Sequence, residues 1–235
     1  MGKYKILSGS ALKTIALIAM IIDHTASIVL SNMAFATDPI ITISSHKITL
    51  YLILRLIGRI AFPIYCFLIT EGYAHTHDRK KYGINLLLFA LISEIPWNLA
   101  HSGELLYPGQ NVFFTLWIGY MTICIYEQYK EDYKKLTVIF IIIFISTILL
   151  RADYSIRGVG LILLLHLLRN SHLLRAFLGS AILNNPLAVS IAFIPIEMYN
   201  GKRGYIRNKV LKYAFYAIYP LHLLVLFWVK KHFIG

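Results

Sequence analysis

Apolar residues run along this chain in stretches about as long as a bilayer is thick, separated by short polar segments in which Lys and Arg cluster. A helix needs roughly 20 residues to cross the hydrocarbon core. On that measure the pattern predicts spans near residues 10–31, 49–70, 82–100, 111–127, 136–150 and 210–229. Between 158 and 199 it predicts three shorter apolar pieces, 158–168, 173–183 and 186–199, split by Arg169-Asn170-Ser171-His172 and by Asn184-Asn185-Pro186. The expected architecture is all-α, a polytopic transmembrane helical bundle of about nine helices (8 to 10) forming one membrane domain over residues 1–235. The sequence shows no soluble domain, long linker, low-complexity segment or internal repeat.

Composition agrees with that pattern. Of 235 residues, 58% are hydrophobic and 14% charged, and the mean hydropathy of +0.66 is well above that of a soluble domain. The net charge of +12 does not point to nucleic acid, because Lys and Arg lie between apolar segments rather than along one helix face or in a basic tail. Cys66 and Cys124 each sit inside an apolar segment, so neither a disulfide framework nor a zinc site is indicated, and no metal is expected. Ala34-Phe35-Ala36 has the form of a signal peptidase site. The run from Ala11 to Leu30 is nevertheless as long as a spanning helix, so an uncleaved first transmembrane helix is the expectation.

Charge also sets the expected orientation, since cytoplasmic loops carry the excess of Lys and Arg. If all three short pieces cross, sixteen of the 23 Lys and Arg face the cytoplasm, from Lys3 through the clusters at 79–81, 130–135 and 202–212. Five face outside (Lys47, Arg151, Arg157, Lys230, Lys231), and Arg55 and Arg59 fall within the second span. A single crossing over 173–199 would move the charges at 202–212 outside and erase the bias. The expectation is a multi-pass protein of a bacterial cytoplasmic membrane with its N-terminus in the cytoplasm.

Against this apolar background the polar residues inside spans stand out, because ionisable groups in hydrocarbon are costly and face a cavity or a partner. They are Asp23, His24, Arg55, Arg59, Glu94, Glu197 and His222. At about 1.5 Å rise per residue, His24 lies ~20 Å and Glu94 and His222 ~18 Å from the cytoplasmic end of their helices, with Arg55 and Arg59 ~9 and ~15 Å from the opposite side. These residues therefore share one layer. Arg55 and Arg59, four apart on one helix face, can present cationic donors to a carboxylate, a phosphate or a developing oxyanion, or simply fix helix packing. His24 can gain and lose a proton near neutral pH and so serve as a general base. Adjacent helical residues diverge by about 100°, so Asp23 is expected to pair with an arginine on another helix, leaving Glu94 or a tyrosine to orient the imidazole. Pro96, inside a span just after Glu94, can bend the axis and open a polar pocket around Glu94 and Asn98. His75 and His77, in the basic loop "EGYAHTHDRKK", suit solvated headgroup contact rather than a metal, and the clustered positive charge there can attract a phosphorylated ligand such as coenzyme A, or simply anionic lipid. His166 and His172 read as structural or interfacial.

Six blocks carry a family resemblance: "LKTIALIAMIIDH" (12–24), "RLIGRIAFPIYCFLITEGYAHTHDRKKY" (55–82), "LLLFALISEIPWNL" (86–99), "NVFFTLWIG" (111–119), "ADYSIRGVG" (152–160) and "KYAFYAIYPLHLL" (212–224). In that order they resemble the TraX family, named for the conjugation-associated protein that acetylates the N-terminus of F-type pilin. That family is more distantly similar to the acyltransferase-three and heparan-glucosaminide acetyltransferase group. The resemblance implies acetyl-CoA as donor, reached from the cytoplasm, and an intramembrane histidine of an early helix as the catalytic group. His24 matches that histidine; Asp23, Arg55, Arg59, Glu94 and His222 match the other polar positions. The expected assignment groups His24, Asp23 and Glu94 as catalytic, and Arg55, Arg59 and His222 as binding the donor or an oxyanion. Besides the lipid bilayer, the expected partners are an acyl-CoA donor and a peptide or glycan acceptor. Two rivals remain open: a proton-coupled transporter using the same buried charges, and a non-catalytic pilus or peptide assembly factor.

Overall fold

The computed structural model describes residues 4–44, 46–183 and 186–233, the side chain of Ile43 excepted. Lys3 and Asn184-Asn185, which enter the charge count and the predicted breaks, lie outside the described residues. Helices dominate: α1 Gly9–His24, α2 Ala34–Thr37, α3 Leu50–Gly58, α4 Ala61–His75, α5 Arg79–Ser102, α6 Val112–Tyr129, α7 Tyr133–Leu149, α8 Ser155–Leu167, α9 His172–Ile182, α10 Pro186–Glu197 and α11 Lys209–Phe233. Setting aside the single turn α2 and joining α3 to α4 across the break at Arg59-Ile60, the described residues hold one helical stretch for each of the nine predicted. Four stretches, Gly9–Asn32, Leu50–His75, Arg79–Ser102 and Lys209–Phe233, are long and apolar enough to cross a membrane. With 13, 11 and 12 residues, α8, α9 and α10 reach only about 16–20 Å, short of the ~30 Å hydrocarbon core. One element departs from an all-helical chain: an antiparallel hairpin of β1 Pro39–Ile43 and β2 His46–Thr49, bulged between Pro39 and Ile41.

Helix starts follow from side-chain caps. The oxygens of Ser8, Thr49, Asp78, Asn111, Asp132 and Asn208 each accept a backbone N–H three residues on, or two for Asn111, at 2.7–3.2 Å. They satisfy donors that the first helical turn leaves without intrahelical partners.

The chain divides into two compact units. The first holds residues up to Ile64, Pro96–Leu106 and Ile191 onward. Within it, Leu7 N–H donates to Met198 O (2.9 Å), Asn200 N–H to Leu7 O (2.8 Å), Gly9 N–H to Lys202 O (2.8 Å) and Ser10 N–H to Arg203 O (2.9 Å). Gly204, at φ +87°, lies against Ser8 and Ser10 where a Cβ has no room. These bonds tie the start of α1 to the loop that leads into α11. The second unit, Tyr65–Ile95 and Tyr107–Ser190, packs α6 on α8 at Gly119, whose bare backbone admits Ile162, a small-residue contact of the kind membrane helices favour. At one end of this unit Arg169 pairs with Glu71 (2.9 Å), His166 and Lys130 with Glu127 (2.7 and 3.1 Å), and Arg79 lies 4.3 Å over the Tyr73 ring. The hydrogen bond to Glu127 holds the Lys130 ammonium above its ordinary pKa. Arg79 and Lys130, assigned to one membrane face by the charge count, thus occupy one end of this unit, together with Arg169.

Candidate functional site

Because α1 and α11 start from the same tied segment, depth along each can be compared directly. His24 ends α1 and His222 lies in α11, about 22 and 20 Å from their helix starts at 1.5 Å per residue. The two imidazoles meet there, with His24 Nδ1 and His222 Nε2 2.6 Å apart. Their planes are 7° from parallel and their centroids 4.9 Å apart, a separation larger than N···N by about two ring radii. That is an in-plane hydrogen bond rather than a face-to-face stack. His222 Nδ1 lies 2.9 Å from Ile218 O, one turn back on its own helix. His101 and His232 make the same bond to Trp97 O and Trp228 O.

Aromatic rings flank the pair. Tyr219 stands edge-on to His24 at 6.0 Å and lies 5.6 Å from His222; Trp97 is edge-on to His24 at 6.2 Å and covers His101 at 3.7 Å. Immediately after His24 the backbone widens into a π turn, Thr25–Val29, a distortion that recurs at functional positions in helices. His24 Nε2 has no hydrogen-bond partner among the described residues, and the side chain is half-buried.

On the neighbouring face of α1, Asp23 turns away from His24 and takes Arg55 of α3, Nη1 to Oδ2 at 2.6 Å, as the divergence of adjacent helical residues requires. The contact is possible because Gly58, one turn beyond Arg55, lies against Asp23: a Cβ there would come within 2.6 Å of Asp23 Cα. The side chains are only 21% and 15% exposed, so the charges are largely removed from solvent and depend on each other. Of the five N–H donors of Arg55, only those on Nη1 are engaged among the described residues, while Asp23 Oδ1 is buried without a hydrogen bond. Arg59 falls at the helix break, its N–H still bonded to Arg55 O at 3.0 Å, and adds positive charge near Asp23.

Glu94 belongs to the second unit. There Asn111, cap of α6, donates through Nδ2 to Glu94 Oε2 (2.5 Å) and Ala90 O (2.8 Å), and Glu94 Oε1 is buried without a partner among the described residues. Within the first unit the imidazole of His24 has His222 as its hydrogen-bonding neighbour, where the sequence suggests Glu94 or a tyrosine; Tyr219 touches it as a ring. α5 runs through Pro96 as one continuous helix. Hydrophobic pattern and charge do not mark Trp97, His101 or Tyr219; the signal that could is spacing, with Trp97 and His101 one turn apart and Tyr219 three residues before His222. Among the described residues no group of three or more His, Cys, Asp or Glu is placed to hold a metal ion.

Helices long and apolar enough to span, with a histidine pair and an ion pair inside them, define a polytopic helical membrane protein. The chain belongs to the TraX protein family, whose model matches residues 8–230. It is 29% identical over 245 aligned residues to the "Probable fimbrial assembly protein FimC, serogroup H1" of Dichelobacter nodosus, covering 93% of this chain and 94% of that protein. No solved structure matches.

Proposed function

We propose that this protein is a membrane-embedded, acetyl-CoA-dependent acyltransferase. It moves acetyl to an amine or hydroxyl of an acceptor presented at the membrane, a peptide N-terminus such as that of a pilin, or a glycan. The observation that carries this reading is the His24–His222 pair, which leaves His24 Nε2 without a partner among the described residues in the middle of a span. A histidine so placed can take the acceptor's proton as the acceptor attacks the thioester carbonyl, and return it to the departing CoA thiolate. The uncommitted N–H groups of Arg55 suit the oxyanion of that addition, with Arg59 adding positive charge. Asp23 holds Arg55 in place. A covalent route through acetyl-His24 uses the same nitrogen as nucleophile. Residues 1–235 act as one membrane domain in a bacterial cytoplasmic membrane, N-terminus in the cytoplasm. The basic end of the second unit then faces the cytoplasmic donor.

A second reading is favoured by the printed name of the Dichelobacter nodosus relative: a pilus-related assembly factor without catalysis. The two are separated by presenting the purified protein in nanodiscs with acetyl-labelled acetyl-CoA and a panel of peptides with free or blocked N-termini, and of sugars. Label on one acceptor class supports transfer and names the substrate. Peptide binding without label on any acceptor supports the assembly factor.

A further inference from the structure

The hydrogen bonds at the histidine pair have a direction. A neutral imidazole carries one N–H and one lone pair, on different nitrogens. Ile218 O can only accept, so the Nδ1 of His222, 2.9 Å away, must carry the proton. The same nitrogen carries it in His101 and His232, bonded to the carbonyls of Trp97 and Trp228 one turn back. The Nε2 of His222 is then a lone pair. Its neighbour at 2.6 Å, His24 Nδ1, must donate to it, which leaves the His24 lone pair on Nε2, the nitrogen with no partner among the described residues.

Resting on the acyltransferase reading, we propose that His222 is the positioning residue of the reaction. It holds His24 in the Nδ1–H form, so that Nε2 is the base, and it shares the positive charge once that base is protonated. His222 belongs with the catalytic histidine rather than with the donor-binding arginines. When Nε2 takes the acceptor's proton, the new N–C or O–C bond forms and the C–S bond later breaks. The imidazolium that results donates its Nδ1–H to the His222 lone pair, and the Nε2 proton leaves with the CoA thiol. His222 thereby performs with a neutral ring the orienting task that a carboxylate performs in serine hydrolases. Among the described residues, the charged and titratable groups near His24 besides His222 include its own neighbour Asp23, committed to Arg55, then His101, whose Nδ1 is bonded to Trp97 O, and Tyr219, edge-on to the ring.

Two substitutions separate orientation from bulk. His222→Gln places an amide oxygen near the position of Nε2 and can still accept from His24 Nδ1–H. His222→Asn is too short to do so, while its amide can still reach toward the helix carbonyl. The experiment is nitrogen NMR of the full-length protein in nanodiscs with ¹⁵N-labelled histidine, read beside acetyl transfer. Wild type and His222→Gln are expected to show His24 protonated on Nδ1. His222→Asn is expected to move the proton to Nε2 and to lower kcat by at least about 10²-fold at unchanged KM for acetyl-CoA, with Gln restoring most of the rate. A His24 protonated on Nε2 in the wild type, or unchanged in His222→Asn, overturns the proposal. Because the tautomer is read without turnover, an Nδ1–H signal alongside absent acetyl transfer contradicts the enzyme reading while leaving the orientation intact.

Discussion

At the scale of single residues, two pairs on adjacent positions of α1 divide the work. Asp23 goes to Arg55 and His24 to His222 because neighbouring helical side chains point about 100° apart. The Asp23–Arg55 pair is largely buried, so removing one partner strands the other charge, at a cost of about 3–5 kcal/mol in fully buried pairs and less here, where both retain some exposure. Asp23→Ala and Arg55→Ala are each expected to lower the thermal midpoint of the detergent-solubilised protein, and the double variant to fall by less than the sum of the two. Additive losses would mean that the pair is not coupled. Glu94 depends on Asn111 in the same way. Asn111→Ala removes both a helix cap, worth about 0.5–2 kcal/mol, and the side-chain donor to Glu94 Oε2 and Ala90 O, leaving the longer backbone bond to Oε2, so it is expected to destabilise more than Asp132→Ala, which removes a cap alone; thermal unfolding ranks the two.

At the scale of elements, close approach of α3 to α1 rests on Gly58. Adding a methyl group drives it into the backbone of Asp23, and overpacking of this kind costs about 1–3 kcal/mol. Gly58→Ala is therefore expected to destabilise the protein and weaken acetyl transfer together, whereas Gly160→Ala, whose Cβ meets nothing within 4 Å, leaves the thermal midpoint unchanged or raised. The helices themselves were legible in the sequence, because hydrophobic length is a strong signal and the caps from Ser8 to Asn208 are ordinary cap residues. The hairpin at 39–49 was not, since its strands are only five and four residues long and the first begins at a proline. The π turn after His24 left no mark in the residue pattern either.

At the scale of the whole molecule, depth was legible and azimuth was not. Counting rises from the helix starts put His24 and His222 in one layer, but which faces meet depends on how Ser10 and Gly204 lock α1 to the segment before α11, a contact 194 residues apart in sequence. The orientation inferred from the charges is tested with single cysteines introduced into a variant lacking Cys66 and Cys124. At Lys80 or Lys134 a membrane-impermeant maleimide is expected to react only after permeabilisation, and at Lys47 in intact cells; the reverse pattern would invert the proposed topology. The central claim, that His24 is the base of an acetyl transfer, is tested most directly by release of free CoA thiol from acetyl-CoA in nanodiscs, with a competent acceptor present, wild type beside His24→Ala. The account predicts saturable release that falls by at least about 10²-fold in the variant while acetyl-CoA binding is retained. Equal rates in the two proteins, or a wild type that neither binds nor cleaves acetyl-CoA, would contradict it.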